Sequence, residues 1–153
     1  MAATRQARAI WNGDLASGTG EVTAQSSGKF SALPVSWGAR TESPQGKTSP
    51  EELLAAAHAT CFSMALSAGL AKAGTPPKKL EVTSTVTFDK VGADWTVVSS
   101  ELEVSGDVPG INAADFAKAA EGAKDGCPIS RALKNNVKLS VKPTLKTEAA
   151  ARS

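Results

Sequence analysis

The sequence predicts an α+β fold built on antiparallel sheet, and three observations carry that reading. Ser49 to Gly74 reads as one long helix. Lys79 to Asp89 alternates apolar and polar residues with the period of a half-buried strand. The elements then follow one another as strands, long helix, two strands, helix, short helix and strand, which is a pattern of hairpins separated by helices rather than a βαβ alternation.

Three weak strands come first. Residues 5 to 11 end at an Asn12-Gly13-Asp14 turn, residues 19 to 24 form the second, and a short third lies near Lys29 to Leu33. Gly18 and Gly20 make a G-x-G with no third glycine or helix in place, so no dinucleotide fingerprint forms. Trp37 to Lys47 reads as a polar loop carrying Arg40.

The long helix has start and stop signals at both ends. Ser49 suits the N-cap, Pro50 the first helical position, and Glu52 completes a Ser-x-x-Glu capping box. Gly74, Pro76 and Pro77 end it. Leu53, Leu54, Ala57, Cys61, Met64, Ala65 and Ala68 recur at helical spacing and mark the expected inward face. Its many alanines suit close packing against a partner.

Beyond this helix, Leu80, Val82, Val86 and Phe88 share one face of a strand. Trp95 to Ser105 is the returning strand. Its apolar positions change phase between Val97 and Leu102, which predicts a bulge near Val98 to Ser100. Asn112 caps a helix running to Lys124 and ended by Gly126, and Pro128 starts a short helix over PISRALKN. Asn136 to Lys142 is the last strand, ended by Pro143. The expected organisation is one domain over 1–143 and a flexible tail over 144–153.

Composition narrows the function classes. The chain has 153 residues, 41% apolar and 21% charged, as a single soluble domain would. A net charge of +2, scattered basic residues and few aromatics speak against nucleic acid. The absence of an uninterrupted apolar run of about 18 residues speaks against a membrane span. The N-terminal MAATRQARAIW lacks the apolar region of a signal peptide, so a cytoplasmic protein is expected.

Two cysteines in a reducing compartment point to reactivity rather than a structural staple. Cys127 stands immediately before a helix start, where the amide ends favour a thiolate. Cys61 lies mid-helix on the expected inward face, where a lone cysteine is ordinarily an inert small hydrophobe. To react it needs a cation brought to it. Arg40 is the candidate, with a carboxylate to orient the guanidinium. His58, the only histidine, is three residues from Cys61, so a Cys-His pair or two metal ligands can be drawn. With no further ligands in sight the metal reading is dropped, and His58 is read as a packed, hydrogen-bonded structural residue. No cofactor is called for.

SPEELLAAAHATCFSMALS followed by GCPISRAL resembles the OsmC branch of the OsmC/Ohr family of thiol-dependent hydroperoxide reductases. The likeness extends over AIWNGDLASGTGEV, the GARTE loop, the VPGIN turn and the last strand. It implies an intertwined homodimer, with antiparallel sheets wrapped around two long central helices. It also implies roles: Cys61 as the peroxidatic cysteine, Cys127 as the resolving one, Arg40 as the holder of the Cys61 thiolate, and Glu51 as the carboxylate that orients Arg40. Glu52 is the neighbouring alternative, assigned instead to the capping box. Ten helical residues place Glu51 about 15 Å along the axis from Cys61, so a Glu51 that works at Cys61 comes from a second chain.

The chemistry expected is reduction of organic hydroperoxides, and of hydrogen peroxide, by Cys61, with a Cys61–Cys127 disulfide reset by a small dithiol of lipoyl type. Such a bridge requires Cα atoms within about 7 Å. Two other classes stand beside it. One is a small-molecule-binding or structural dimer with inert cysteines. The other is a disulfide oxidoreductase acting on proteins, against which the inward position of Cys61 speaks.

Overall fold

In the computed structural model, residues 1–146 are described, and most of the expected tail, 147–153, lies outside them. The chain divides into two compact units, Met1–Leu53 and Leu54–Ser153.

The first unit carries a three-stranded antiparallel sheet in the order β1-β2-β3, with β1 at Arg8–Asn12, β2 at Thr19–Thr23 and β3 at Leu33–Val35. β3 starts four residues later than expected because Lys29 to Ala32 is spent on a turn. Gly28 (φ 66°) and Ala32 (φ 53°) are left-handed there, and the Ala32 N–H is taken by the Thr23 hydroxyl at 2.9 Å. The segment read as a loop from Trp37 begins instead with a short helix, α1, at Trp37–Thr41. Ser36 makes it possible: its extended backbone and its hydroxyl, which accepts from Ala39 N at 3.1 Å, form a complete N-cap.

Helix α2 runs without interruption over Pro50–Lys72. Ser49 caps it as expected, accepting from Glu52 N at 3.1 Å. The reciprocal half of the capping box does not form, since the Glu52 carboxylate accepts from the Thr48 hydroxyl at 2.7 Å. The inward face also differs from the expected one. His58, Phe62, Leu66 and Leu70 are buried at four-residue spacing, whereas Ala57, Met64 and Ala68 are exposed, Met64 at 68%. The bulkier side chains take the core because they remove more apolar surface from water. Alanine and methionine are left on a second apolar face. No uninterrupted apolar run of about 18 residues occurs in α2, since His58, Thr60, Ser63 and Ser67 break it, although by length and overall composition this 23-residue helix is apolar enough to cross a bilayer. Its Phe62–Leu66–Leu70 stripe is packed as that of a core helix.

The second sheet has the order β4-β5-β6, with β4 at Lys79–Val91, β5 at Asp94–Asp107 and β6 at Lys138–Leu145. β4 and β5 form the expected antiparallel hairpin. Its register slips between Thr87 and Phe88, leaving Val98 as the extra residue where the bulge was anticipated. β6, however, pairs parallel to β5, so this sheet is mixed rather than antiparallel. The cause lies in the connection. Helices α3 (Ala113–Gly126) and α4 (Pro128–Leu133) form a crossover long enough to return the chain to the same end of the sheet. β6 also passes through Pro143 to Leu145, since an outer strand tolerates a residue with no N–H to donate.

The core of this unit joins Phe62, Leu66 and Leu70 of α2, Leu102 and Val104 of β5, Val108, and Phe116, Ala120 and Ala123 of α3. Cys127, between α3 and α4, closes it and is fully buried.

Candidate functional site

Two groups of residues matter, one in each unit. In the first, Arg40 stands in the last turn of α1 and Glu51 in the first turn of α2. Arg40 Nε donates to both Glu51 oxygens at 3.0 and 3.1 Å, and Nη2 donates to Oε1 at 2.8 Å. This is the planar, two-pronged geometry that only a guanidinium offers a carboxylate. Glu51 is buried, while Arg40 keeps 30% of its side chain exposed and lies 5.9 Å from the Trp37 ring centre. Trp11, Leu15, Val35, Trp37 and Pro50 form with Arg40 a mostly apolar recess of about 300 Å³. Glu52, the alternative partner, is occupied by Thr48.

In the second unit, Cys61 and Cys127 are both free thiols and come within 3.4 Å of each other. Cys61 is half-buried and Cys127 fully so. The start of α4 holds both sulfurs. The backbone N–H of Ile129 donates to Cys61, and that of Ser130 donates to Cys127 Sγ at 3.3 Å. Pro128 at the first helical position, with no N–H of its own, leaves the next two amides to turn toward the sulfurs.

Burial pushes the Cys61 thiol above its ordinary value of 9.0, and the neighbouring Cys127 pushes it further, while the Ile129 amide and the charge of Arg131 work against the rise. Within this unit, then, the Cys61 thiol lies beside Cys127, and its pKa is held above the ordinary value chiefly by burial. The cation it was expected to need, Arg40, is engaged with Glu51 in the other unit.

His58 is fully buried and hydrogen-bonded on both ring nitrogens, to Ser100 Oγ at 2.6 Å and to Ser130 Oγ at 2.8 Å. Burial lowers its pKa from 6.5, which favours the neutral ring. It is a hydrogen-bonded core residue, as read from the sequence. Among the described residues no cluster of His, Cys, Asp and Glu could hold a metal ion.

Sequence reasoning missed Ser100, Ser130, Arg131 and the Ile129 amide. Ser130 had a visible signal, a Cys-Pro-x-Ser spacing that turns a side chain three residues on back toward the cap. Ser100 had none, because its place opposite α2 depends on the bulge and register of β5.

Comparison with known proteins fits this arrangement. Residues 42–142 match the family described as OsmC-like protein. The chain is 40% identical over 139 residues to Peroxiredoxin OsmC of Escherichia coli (strain K12), covering 91% of this chain and 96% of that one, and equally similar to its Shigella flexneri counterpart. Its fold is that of the organic hydroperoxide resistance protein OhrB of Bacillus subtilis, with a TM-score of 0.70, 24% identity, and 92% and 98% of the two chains covered. It is also that of an OsmC protein from Legionella pneumophila, with a TM-score of 0.67, 21% identity, and 94% and 99% covered. With a cysteine pair at the start of α4, a long helix bearing the first of them, and this extent of similarity, the chain belongs to the OsmC family.

Proposed function

We propose that this protein is a thiol-dependent peroxidase that reduces organic hydroperoxides, and hydrogen peroxide as well, to alcohol or water. The observation that carries the reading is the approach of two free thiols, Cys61 and Cys127, to 3.4 Å. The 40% identical relative named a peroxiredoxin supports it.

Cys61, as thiolate, attacks the terminal oxygen of ROOH. The O–O bond breaks, ROH leaves, and Cys61 becomes a sulfenic acid. Cys127 displaces the sulfenic hydroxyl as water, forming the Cys61–Cys127 disulfide. A small dithiol of lipoyl type then restores both thiols by exchange. No metal or organic cofactor enters.

Burial pushes the Cys61 thiol up, and Arg40 is the residue proposed to favour its thiolate, with Glu51 fixing the orientation of the guanidinium. Because α2 is continuous, Glu51 and Cys61 of one chain are separated by about three helical turns. The pair is therefore assigned to the Cys61 of a second copy, in a homodimer crossing along α2. The exposed face of Ala57, Met64 and Ala68 supports that crossing. The recess beside Arg40, walled by Trp11, Leu15 and Trp37, suits the alkyl group of an organic peroxide. The reaction is placed in the cytoplasm, where dithiol reductants are maintained.

The test is a thiol count on the reduced protein before and after one equivalent of alkyl hydroperoxide. Both thiols disappear in the parent, and the one remaining thiol, Cys127, is not lost to an intramolecular disulfide in Cys61→Ser. Unchanged thiols in the parent overturn the reading. Burial of Cys127 and the raised pKa of Cys61 favour a second reading, a ligand-binding or structural dimer with inert cysteines, and that same result would support it.

A further inference from the structure

A chain of hydrogen bonds leaves Cys127 and crosses the core to the sheet. Cys127 Sγ donates to Ser130 Oγ at 3.2 Å, Ser130 Oγ meets His58 Nε2 at 2.8 Å, His58 Nδ1 meets Ser100 Oγ at 2.6 Å, and Ser100 Oγ meets Ser84 Oγ at 2.9 Å. Cys127, Ser130, His58 and Ser100 are all essentially without solvent exposure.

Counting hydrogens orders this chain. A serine hydroxyl has one hydrogen. If Ser130 accepts from the Cys127 thiol, its own hydrogen goes to His58 Nε2. That nitrogen is then the unprotonated one, Nδ1–H donates to Ser100, and the Ser100 hydrogen goes to Ser84. Every side-chain donor in the chain is aimed away from Cys127, and only the Ser130 backbone N–H points back to its sulfur. The imidazole sits at the second step as a neutral base, and burial, which disfavours its cation, keeps it neutral in the resting protein.

We propose that His58 is a positioning residue for the second chemical step, acting through Ser130 to draw the proton from Cys127 as the disulfide closes. The inference rests on the peroxidase reading for its substrate, the Cys61 sulfenic acid. As Cys127 Sγ approaches Cys61 Sγ, its proton passes to Ser130 Oγ and the Ser130 hydrogen passes to His58 Nε2. The S–S bond forms and the S–O bond of the sulfenic acid breaks. The departing hydroxide takes up the proton that Cys127 gave up, returned from His58 Nε2 through Ser130, and leaves as water, so that His58 returns to the neutral ring. Cys127 sulfur is oxidised, Cys61 sulfur is reduced from the sulfenic level, and no outside electron carrier is needed. While negative, Cys127 is held by the Ser130 N–H, which already lies 3.3 Å from it. The ionisable groups that act on Cys61 here are Cys127 and Arg131, and both ring nitrogens of His58 are taken by serine hydroxyls.

The inference explains why a core helix carries an imidazole and packs it against serines. A role confined to filling the core would be met by an apolar side chain, without the burden of satisfying two ring nitrogens and three hydroxyls.

The experiment is single-turnover oxidation of His58→Gln and Ser130→Ala with an alkyl hydroperoxide, trapping Cys61 sulfenic acid with dimedone and following disulfide closure separately. Sulfenic acid forms within about threefold of the parent rate in both variants, while closure at about pH 7 slows by tenfold or more and sulfenic acid accumulates. Near pH 9 the gap narrows, because hydroxide then removes the thiol proton directly, and a purely structural defect would leave the gap unchanged. Closure at the parent rate in both variants, or a deficit equal at the two pH values, overturns the relay. Diamide, which forms a Cys61 adduct that Cys127 displaces without peroxide chemistry, tests the relay independently. A parent that fails to form sulfenic acid yet shows the His58 dependence with diamide overturns the peroxidase reading and leaves the relay standing.

Discussion

Arg40 and Glu51 are joined by three N–H···O contacts of 2.8 to 3.1 Å, from the end of one helix to the beginning of the next within a single chain. The pair is thus assembled within a single chain. In the proposed dimer Arg40 would reach the thiolate already oriented, with the ordering of a long side chain complete before the substrate binds.

Arg40→Lys is expected to leave the fold intact and to lower the rate of Cys61 oxidation by about a hundredfold, because a lysine cannot keep two prongs on Glu51 while reaching a sulfur. Glu51→Gln keeps the shape but weakens the orienting ion pair, with a loss of about tenfold. Single-turnover oxidation of Cys61 measures both. Equal rates in the parent and Arg40→Lys would remove the arginine from the mechanism.

The groups around Cys61 give opposite signs to two further substitutions. Cys127 raises the Cys61 pKa and Arg131 lowers it. In Cys127→Ala the midpoint of Cys61 ionisation, followed by thiolate absorbance, should move down. In Arg131→Gln it should move up, and by less than the Cys127 change because a substituted surface charge is screened by solvent.

His58 makes stability depend on pH with a definite sign. Its folded pKa is lowered from 6.5, so below that value the unfolded chain binds the proton more readily than the folded one. The stability linked to a neutral His58 is present above about pH 6.5 and is lost as pH falls from there through the folded value. Denaturant unfolding at a series of pH values should show this slope in the parent, and His58→Gln should flatten it.

Gly106 is the most tightly enclosed glycine of the second unit. A Cβ there would stand 2.5 and 2.7 Å from two carbons of the Phe116 ring. The ring is buried and cannot swing clear. Gly106→Ala should destabilise by about 1–3 kcal/mol through overpacking. Gly122→Ala, with open space at its Cβ, is the control and should be neutral or slightly stabilising in its helix. Thermal or chemical denaturation separates the two.

Much of this was legible in the chain. The limits of α2, the Asn112 and Ser49 caps, the β4–β5 hairpin and its bulge follow from side chains that act within a few residues of themselves. Glu51 and Arg40 were named, and they do meet. What escaped were features set by competition between distant segments. The inward face of α2 went to Phe62, Leu66 and Leu70, because a helix apolar on every side has no face until something packs on it. α1 was missed because five residues are too few to show a helical period. The parallel β6 was missed because the element order was read as hairpins separated by helices, so α3 and α4 were not taken as a crossover between parallel strands.

By itself the sequence determined the local grammar of this protein: which stretches coil, which extend, where each begins, and which two thiols are available for chemistry. Those outcomes depend on capping groups, glycine and proline positions, and periodicity, all of which act over a few residues. Only the tertiary structure decided that Cys127 comes within 3.4 Å of Cys61, and that His58 is joined to it through Ser130 and to Ser100 on a strand 42 residues away. Such contacts are made by the parallel return of the chain through α3 and α4 and by the packing of α2 on the sheet, and side-chain spacing along the chain carries no record of either.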